Sequence, residues 1–121
     1  MRDAGDITSY HSHIYFDPVT RDFAVALRDA IAAGFTVELG RVHDVPVGPH
    51  SSAMYQVAFK TDEFAKLVPW LMLNRGGLSI LVHPNTGDEI ADHERNPLWL
   101  GTQVSINIDF LRSAVEKVPP Q

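Results

Sequence analysis

Polar and apolar positions alternate near the start of the chain and then change period. Residues 7–16 read ITSYHSHIYF, in which every second side chain from His11 to Tyr15 is a polar ring, and this period of two predicts a strand. Asp17 and Pro18 are typical of the cap and first turn of a helix, and Gly34 is a typical stop. The apolar residues of this first helix recur at helical spacing: Phe23, Leu27, Ala30 and Ile31.

The chain then continues with two strands, a helix and another strand. Residues 35–39 alternate and predict a second strand, a turn-rich PVGP stretch follows at 46–49, and residues 53–59 (AMYQVAF) predict a third strand. Thr61 can begin a second helix, which we expect Pro69 to kink or shorten. Residues 78–83 (LSILVH) predict a short interior fourth strand. The second helix has one apolar face: Phe64, Leu67, Val68, Leu71 and Met72.

The resulting order, βαββαβ, predicts an α+β fold of the ferredoxin-like type, a sandwich in which both helices cover one face of an antiparallel sheet. The other face of the sheet is expected to be open. Residues 84–102 are predicted to form a long connection without regular structure. Apolar residues at 104, 106, 108 and 110 alternate, which predicts a fifth strand at an edge of the sheet or across a partner subunit.

Composition narrows the class of protein. A length of 121 residues predicts one domain. The composition, with 45% hydrophobic and 21% charged residues, predicts that this domain is folded. A net charge of -5 without a cluster of Lys and Arg argues against nucleic-acid binding. No apolar run approaches the roughly 20 residues that span a bilayer. With no cysteine and a polar N-terminus, we expect a cytoplasmic protein whose metal ligands, if any, are histidines, carboxylates or amides.

Histidines are the distinctive residues. His11 and His13 lie two apart on the first predicted strand, so both rings leave the same face roughly 7 Å apart. His83 ends the fourth predicted strand on the corresponding face, and the ferredoxin-like order makes these two strands neighbours. Three imidazoles converging on an open sheet face form a plausible site for zinc, copper, iron or nickel.

Further residues are candidates for the same site. His50, in a turn before the third strand, is expected to serve as a ligand or an acid/base, and His93 as a proton shuttle. Glu38 is the preferred carboxylate if iron uses two histidines and one acid. Candidate substrate-binding residues are Tyr15, Arg41 and Arg75, the arginines because a guanidinium can hold a carboxylate in bidentate fashion.

Simpler interpretations compete with these. A single H-x-H on a strand is more often a solvated polar face than a metal site. The additional histidine on the adjacent predicted strand, His83, makes the metal site the favoured interpretation. His43 is interpreted as a surface residue. His93 stands between two acids and can equally be a paired surface histidine. Trp70 is interpreted as core, and Trp99 either covers the site or packs under the loop.

Several ordered blocks of the sequence resemble the DOPA 4,5-dioxygenase family over residues 10 to about 111. They are YHSHIYFD at 10–17, RVHDVPVGPHSSAMYQV at 41–57, PWLMLNRGGLSILVHPNTGDEIADH at 69–93 and LWLG at 98–101. The resemblance implies a ferredoxin-like fold and extradiol cleavage by O2 of L-DOPA, or of a related catechol such as caffeate, at non-haem Fe(II). It also implies a functional set of histidines: His11, His13, His50, His83 and His93.

We therefore hypothesise that His13 and His83 bind Fe(II) with His11, His50 or Glu38 as the third ligand. His93 or the remaining histidine, His11 or His50, would move protons. The alternatives are a non-enzymatic or cofactor-free small-molecule binding module on the same scaffold, arranged as a homodimer with facing open sheets, and a closed, inert structural zinc site.

Overall fold

The computed structural model describes residues 1–116, and the terminal Pro-Pro-Gln lies outside them. It begins with a short 3₁₀ turn at Ala4–Asp6. The strands are β1 Ser9–Phe16, β2 Glu38–Leu39, β3 Ala53–Lys60, β4 Ile80–Pro84 and β5 Leu98–Leu100. The helices are α1 Arg21–Gly34, α2 Thr61–Asn74, α3 Glu89–Glu94 and α4 Ile108–Glu116. None of these helices is long and apolar enough to cross a membrane.

The five strands form one antiparallel sheet in the order β2-β3-β1-β4-β5. The first four strands have the arrangement expected for a ferredoxin-like fold, with β1 between β3 and β4. The register pairs His11 with His83 and His13 with Leu81. The predicted α+β fold class and the predicted pairing of the first and fourth strands are therefore confirmed.

The main core lies between the sheet and helices α1 and α2. Ile14 and Ile80 from the central strands are fully buried, and Leu27 of α1 and Leu71 of α2 pack on them from the helical layer. These side chains alternate along their strands with the histidines, so the same pleat that buries the apolar residues turns the imidazoles to the opposite face. The predicted division of β1 and β4 into two faces is confirmed.

Both long helices differ in detail from the prediction. Asp17 and Pro18 do not begin α1, because Asp17 forms a separate turn in which its carboxylate accepts from the Thr20 amide at 2.9 Å, and the helix begins at Arg21. Consequently Phe23 is about half exposed and Ala24 is buried in its place. Helix α2 continues through Pro69 to Asn74, since its buried apolar face stabilises it despite the lost backbone hydrogen bond.

The C-terminal third departs most from the prediction. The connection at 84–102 contains α3 and the edge strand β5, which pairs with β4. The predicted fifth strand at 104–110 was wrong: this segment makes one isolated bridge, between Ile106 and His50, and then enters α4. Two of its alternating apolar side chains, Val104 and Ile106, pack on the histidine face against a small cluster of Tyr15, Met54 and Leu81. That face is therefore partly covered instead of fully open.

Candidate metal and active site

Three histidines from the two central strands converge on the partly covered face of the sheet. His11 and His83 are directly opposed in the register, and their ring centroids lie 5.2 Å apart. The Nε2 atoms of His13 and His83 are 3.1 Å apart, with their rings nearly parallel. One ligand atom from each of His11, His13 and His83 lies within 4.8 Å of the others, so this trio can hold one metal ion.

A second trio shares His13 with the first and adds His50 and His93. The centroid of His50 lies 4.2 Å from that of His13, and that of His93 lies 4.1 Å from that of His83. Five imidazoles thus form one continuous cluster. Because His13 belongs to both trios, it is the residue that either arrangement of a metal site requires.

Chain connections outside the sheet bring His50 and His93 to this cluster. His50 ends the turn before β3, and that turn is held against the 105–107 segment by the Asn107 amide, which donates to the Pro49 carbonyl at 2.7 Å. His93 lies on α3, which is capped by the Asp88 side chain. The buried carboxylate of Asp92 accepts from the Thr86 hydroxyl at 2.6 Å and from its amide, fixing α3 to the end of β4.

Burial keeps the cluster in its neutral form. Desolvation is the main cause, and repulsion from neighbouring imidazoles a smaller one, of a pKa of about 3 for His83 and about 4 for His50. Desolvation, followed by repulsion from the surrounding imidazoles, also holds the pKa of His13 well below 6.5, and burial lowers that of the half-buried His11. A metal ion binds the unprotonated imidazole, so these groups are in the binding form at neutral pH.

Hydrogen bonds to the backbone orient two of the rings. Nδ1 of His83 donates to the Pro84 carbonyl at 3.0 Å, and Nδ1 of His93 donates to the Glu89 carbonyl at 2.8 Å. Each bond fixes the tautomer in which Nε2 carries a free lone pair, which is how metal-binding histidines are usually held. By contrast, the buried Nδ1 of His13 has no hydrogen-bond partner in residues 1–116.

The residues present fit a metal ion. Two imidazoles bound to one ion at roughly 2.1 Å have their nitrogens roughly 3.0 to 3.4 Å apart, depending on the coordination geometry. The 3.1 Å between the Nε2 atoms of His13 and His83 lies in this range. An all-nitrogen set without thiolate suits iron, copper, nickel or zinc. The unpartnered Nδ1 of His13 is a different atom from the Nε2 of this pair, and it is the kind of buried polar atom that a bridging water satisfies.

Tyr15 belongs to this site through His50. Its hydroxyl lies 2.7 Å from Nδ1 of His50, and its ring stacks on Trp99 with centroids 6.1 Å apart. Tyr15 is buried, and desolvation raises the pKa of its phenol, so the group is neutral. Trp99 therefore covers the site at β5, which was one of its two predicted roles.

Besides Tyr15, three predicted site residues lie outside both trios. Glu38 is exposed on β2, and the register places it two strands from His11. Arg41 is exposed just after β2. Arg75 donates to the Gly76 and Leu78 carbonyls and thereby ties the turn between α2 and β4, which is at the end of β4 away from His83.

His43 was assigned to the surface from its sequence context, and this was wrong. It is half-buried and pairs with Met54 of β3, whose side chain faces the histidine cluster. Its charge is close enough to contribute to the lowered pKa of His50. The alternation of side chains along β2 could not predict that His43 lies beside the cluster, because β2 ends at Leu39. His43 is held there by an isolated bridge beyond the end of the strand.

A groove of about 610 Å³ adjoins the cluster at His11. It runs across the end of the sheet from β1 to β2, and Ala58 of β3 lies between His11 and Glu38 in the register. Its remaining lining is mainly polar: Ser9, Tyr10, Thr36, Val37, Phe59, Lys60, Asp62 and Asn85. A small organic molecule can enter this groove and reach the edge of the histidine cluster.

The sequence and the fold of the chain are both similar to those of known proteins. Residues 10–110 match the model of the Dopa 4,5-dioxygenase family. The chain is 36% identical to a DOPA 4,5-dioxygenase of Amanita muscaria, over 96% of this chain and 55% of that protein. It is 34% identical to an uncharacterised 21.2 kDa protein of Botryotinia fuckeliana, over 91% of this chain and 67% of that one. A crystal structure from Nostoc punctiforme, provisionally described as a dioxygenase, is 52% identical, with a TM-score of 0.93, over 94% of this chain and 99% of that one.

Proposed function

The chain belongs to the Dopa 4,5-dioxygenase family, and from this premise we propose that it cleaves the ring of a catechol with O2 at a histidine-bound non-haem iron. The proposed reaction is extradiol cleavage, with L-DOPA or a caffeate-like catechol as substrate. The observation that carries the proposal is the convergence of the His13 and His83 Nε2 atoms, 3.1 Å apart, inside a buried cluster of neutral imidazoles. The chain spans only 55% of the length of the Amanita muscaria DOPA 4,5-dioxygenase. The activity is therefore proposed from the histidine site of this chain.

We assign the iron to His11, His13 and His83. His13 and His83 supply two nitrogens 3.1 Å apart, and His11 borders the groove by which a substrate can approach. When bound there, Fe(II) would supply the redox chemistry that joins O2 to an aromatic diol. Three protein ligands leave coordination positions free, as substrate chemistry requires and a closed structural site does not provide.

His50 and His93 remain for proton transfer. Neutral His50 takes a phenolic proton from the catechol when its Nδ1–H donates to the Tyr15 oxygen, because that tautomer leaves a free lone pair on Nε2. His93 is held in the equivalent tautomer by the Glu89 carbonyl. Tyr15 thus acts by positioning His50, a different role from the substrate contact first predicted. Trp99 and the 104–106 segment exclude water from this side of the cluster.

Metal content and turnover of the same variants test the proposal. The protein is loaded anaerobically with Fe(II), and oxygen uptake and the appearance of yellow product are followed with L-DOPA, caffeate and protocatechuate. We expect about one iron per chain and turnover in the wild type, with both lost in His13→Ala and His83→Ala. His43→Ala is the matched control, since this histidine lies outside both trios.

Each alternative has its own result. Tightly held zinc without oxygen uptake would indicate a structural metal site, and catechol binding without any metal would indicate a binding module. Full turnover by iron-loaded His83→Ala would overturn the assignment of the metal ligands.

A further inference from the structure

Helix α3 brings His93 to the cluster, and the ring is fixed relative to this helix by its own backbone. Nδ1 of His93 donates to the Glu89 carbonyl at 2.8 Å, and the imidazole lies against that of His83 with centroids 4.1 Å apart. With six residues, α3 is too short to be stable through its own hydrogen bonds. The position of His93 over the sheet therefore depends on what attaches α3 to the rest of the chain.

Asp92, the neighbour of His93, makes that attachment. One of its carboxylate oxygens accepts from the Thr86 amide at 2.9 Å, and the other accepts from the Thr86 hydroxyl at 2.6 Å. The chain before Thr86 is held to the sheet, because the amide of Asn85 donates to the Ser9 carbonyl at 3.0 Å and its side chain donates to the Ser9 hydroxyl at 3.1 Å. Hydrogen bonds thus connect the start of β1 to the residue beside His93.

The carboxylate of Asp92 is unusual for a contact that serves stability alone. Within residues 1–116, its two bonds to Thr86 are the only hydrogen bonds between α3 and the chain outside residues 88–96. Asp92 is 2% exposed, and it forms no ion pair with any of the described residues. An aspartate is almost never fully buried without a charged partner, because burial of a charge costs free energy. What this carboxylate supplies is geometry, since two oxygens that accept from one residue hold the helix in a single orientation.

We propose that Asp92 is a positioning residue for the proton transfer assigned to His93, and that its bonds to Thr86 keep this imidazole at the cluster. The inference rests on the proposed function and adds to it a residue that lies outside both trios. Asp92 acts through His93, by holding α3 against the end of β4. Loss of its bonds should leave the three assigned metal ligands in place, because these lie on strands β1 and β4.

Asp92→Asn tests this role, because it removes one of the two acceptors with little change in the size of the side chain. General acid–base catalysis contributes roughly 10²- to 10⁴-fold, and part of it should survive a small displacement of His93. We therefore expect kcat for ring cleavage of L-DOPA to fall by about tenfold, with KM and iron content as in the wild type. Thr86→Val should also lower kcat, since it removes the hydroxyl donor. Thr86→Ser keeps both donors and should have the kcat of the wild type.

Asp17→Asn is the matched control. The Asp17 carboxylate also accepts from the amide and the hydroxyl of one threonine, Thr20, at 2.9 Å and 3.1 Å, but in the turn before α1. Its replacement should leave kcat unchanged. Folding of every variant is checked by thermal melting, and if Asp92→Asn does not fold, the comparison of Thr86→Val with Thr86→Ser decides.

A double-mutant cycle separates positioning of His93 from general damage. If Asp92 acts through His93, Asp92→Asn should have no further effect on kcat in a His93→Ala background. An equal loss of kcat in both backgrounds would refute the inference. Wild-type kcat in both Asp92→Asn and Thr86→Val would refute it as well.

NMR spectra of the imidazole rings in the metal-free protein provide a readout that does not depend on turnover. The signals of His93 should move in Asp92→Asn and in Thr86→Val but not in Thr86→Ser, and those of His43, outside both trios, should stay in place. Unchanged His93 signals in Asp92→Asn and Thr86→Val would refute the positioning role. No ring cleavage of any catechol by the iron-loaded wild type would instead refute the proposed function, and the spectra would still show whether Asp92 positions His93.

Discussion

The hydroxyl of Tyr15 lies 2.7 Å from Nδ1 of His50, joining the central strand to the turn before β3. The two residues come from different parts of the sequence, and both are buried. A hydrogen bond between them fixes the ring orientation of His50, which has no regular secondary structure on its N-terminal side. Since burial raises the pKa of the phenol, Tyr15 stays neutral and can donate or accept according to the tautomer of His50.

Tyr15→Phe should therefore impair catalysis while leaving the fold intact. The ring can still stack on Trp99, but His50 loses the partner that selects its tautomer. We expect kcat to fall about tenfold, equivalent to roughly 1.4 kcal/mol. The acidic limb of the pH–rate profile should shift as well, because the environment of His50 changes. Steady-state kinetics from the pKa of His50, about 4, up to roughly pH 8 give both values.

A second buried tyrosine provides the control. Tyr55 donates to the Ala24 carbonyl at 2.8 Å in the core on the opposite side of the sheet. Tyr55→Phe should lower the free energy of unfolding by about 1 kcal/mol without changing kcat at temperatures where the protein is folded. If Tyr15→Phe behaves in the same way as Tyr55→Phe, the proposed positioning role of Tyr15 is wrong.

Metal binding should stabilise the protein through His13. An ion that binds only the folded state adds a free energy that grows with its concentration, about 2.7 kcal/mol at one hundred times its Kd. We expect Fe(II) or Zn(II) to raise the melting temperature of the wild type and of His43→Ala, but not of His13→Ala. Equal metal-dependent shifts in all three proteins would show that the ion binds somewhere other than either trio.

The metal-free protein should lose stability on mild acidification. The folded-state pKa values of His50 and His83, about 4 and about 3, lie below the ordinary value of 6.5, so below pH 6.5 the unfolded chain binds more protons than the folded one. This contribution is complete above pH 6.5 and is lost as the pH falls towards these folded-state values. Each buried imidazole adds a slope of about 1.4 kcal/mol per pH unit in that window.

Denaturant melts of the metal-free protein between pH 7 and pH 5 measure this slope before most carboxylates titrate. His83→Asn should show a shallower dependence than the wild type, because one buried titrating group has been removed. A flat profile over this range would mean that the imidazoles take up protons as readily in the folded state as in the unfolded chain.

The strands that carry the site were predictable because each has two distinct faces. The alternation of His11 and His13 with Ile14 fixes which side of β1 packs on the helices, and the order of elements makes β1 and β4 neighbours. From these two facts the meeting of His13 and His83 follows. The assignment of His50 to a turn close to the sheet rested on the same reasoning, together with its Gly-Pro context.

The remaining part of the site depends on tertiary contacts. Helix α3, with six residues, is too short to show a helical period, although the Asp88 cap is a signal that could have indicated it. The segment at 104–106 alternates like a strand because its side chains pack on Tyr15 and Leu81, and only one bridge forms there. A period of two reports which side chains are buried, and it does not report whether a strand partner is present.

Ser12 is an exception to the otherwise apolar helical face of β1. It is fully buried, it lies between Val57 and Val82 in the register, and its hydroxyl has no hydrogen-bond partner among the residues that the structure describes. An unpaired buried hydroxyl costs about 1 to 3 kcal/mol, and removing one oxygen leaves only a small void. We therefore expect Ser12→Ala to raise the free energy of unfolding by roughly 1 kcal/mol, which corresponds to a few degrees in Tm.

Turnover of Ser12→Ala completes this test. His11 and His13 flank Ser12 but point to the opposite face, so the metal affinity and kcat of the variant should equal those of the wild type. Ser12→Val separates loss of the hydroxyl from packing, because it removes the same oxygen but adds volume between two valines and should gain less stability. A destabilised Ser12→Ala would imply that the hydroxyl has a bound partner, such as a buried water, and that it contributes to holding the two histidines in register.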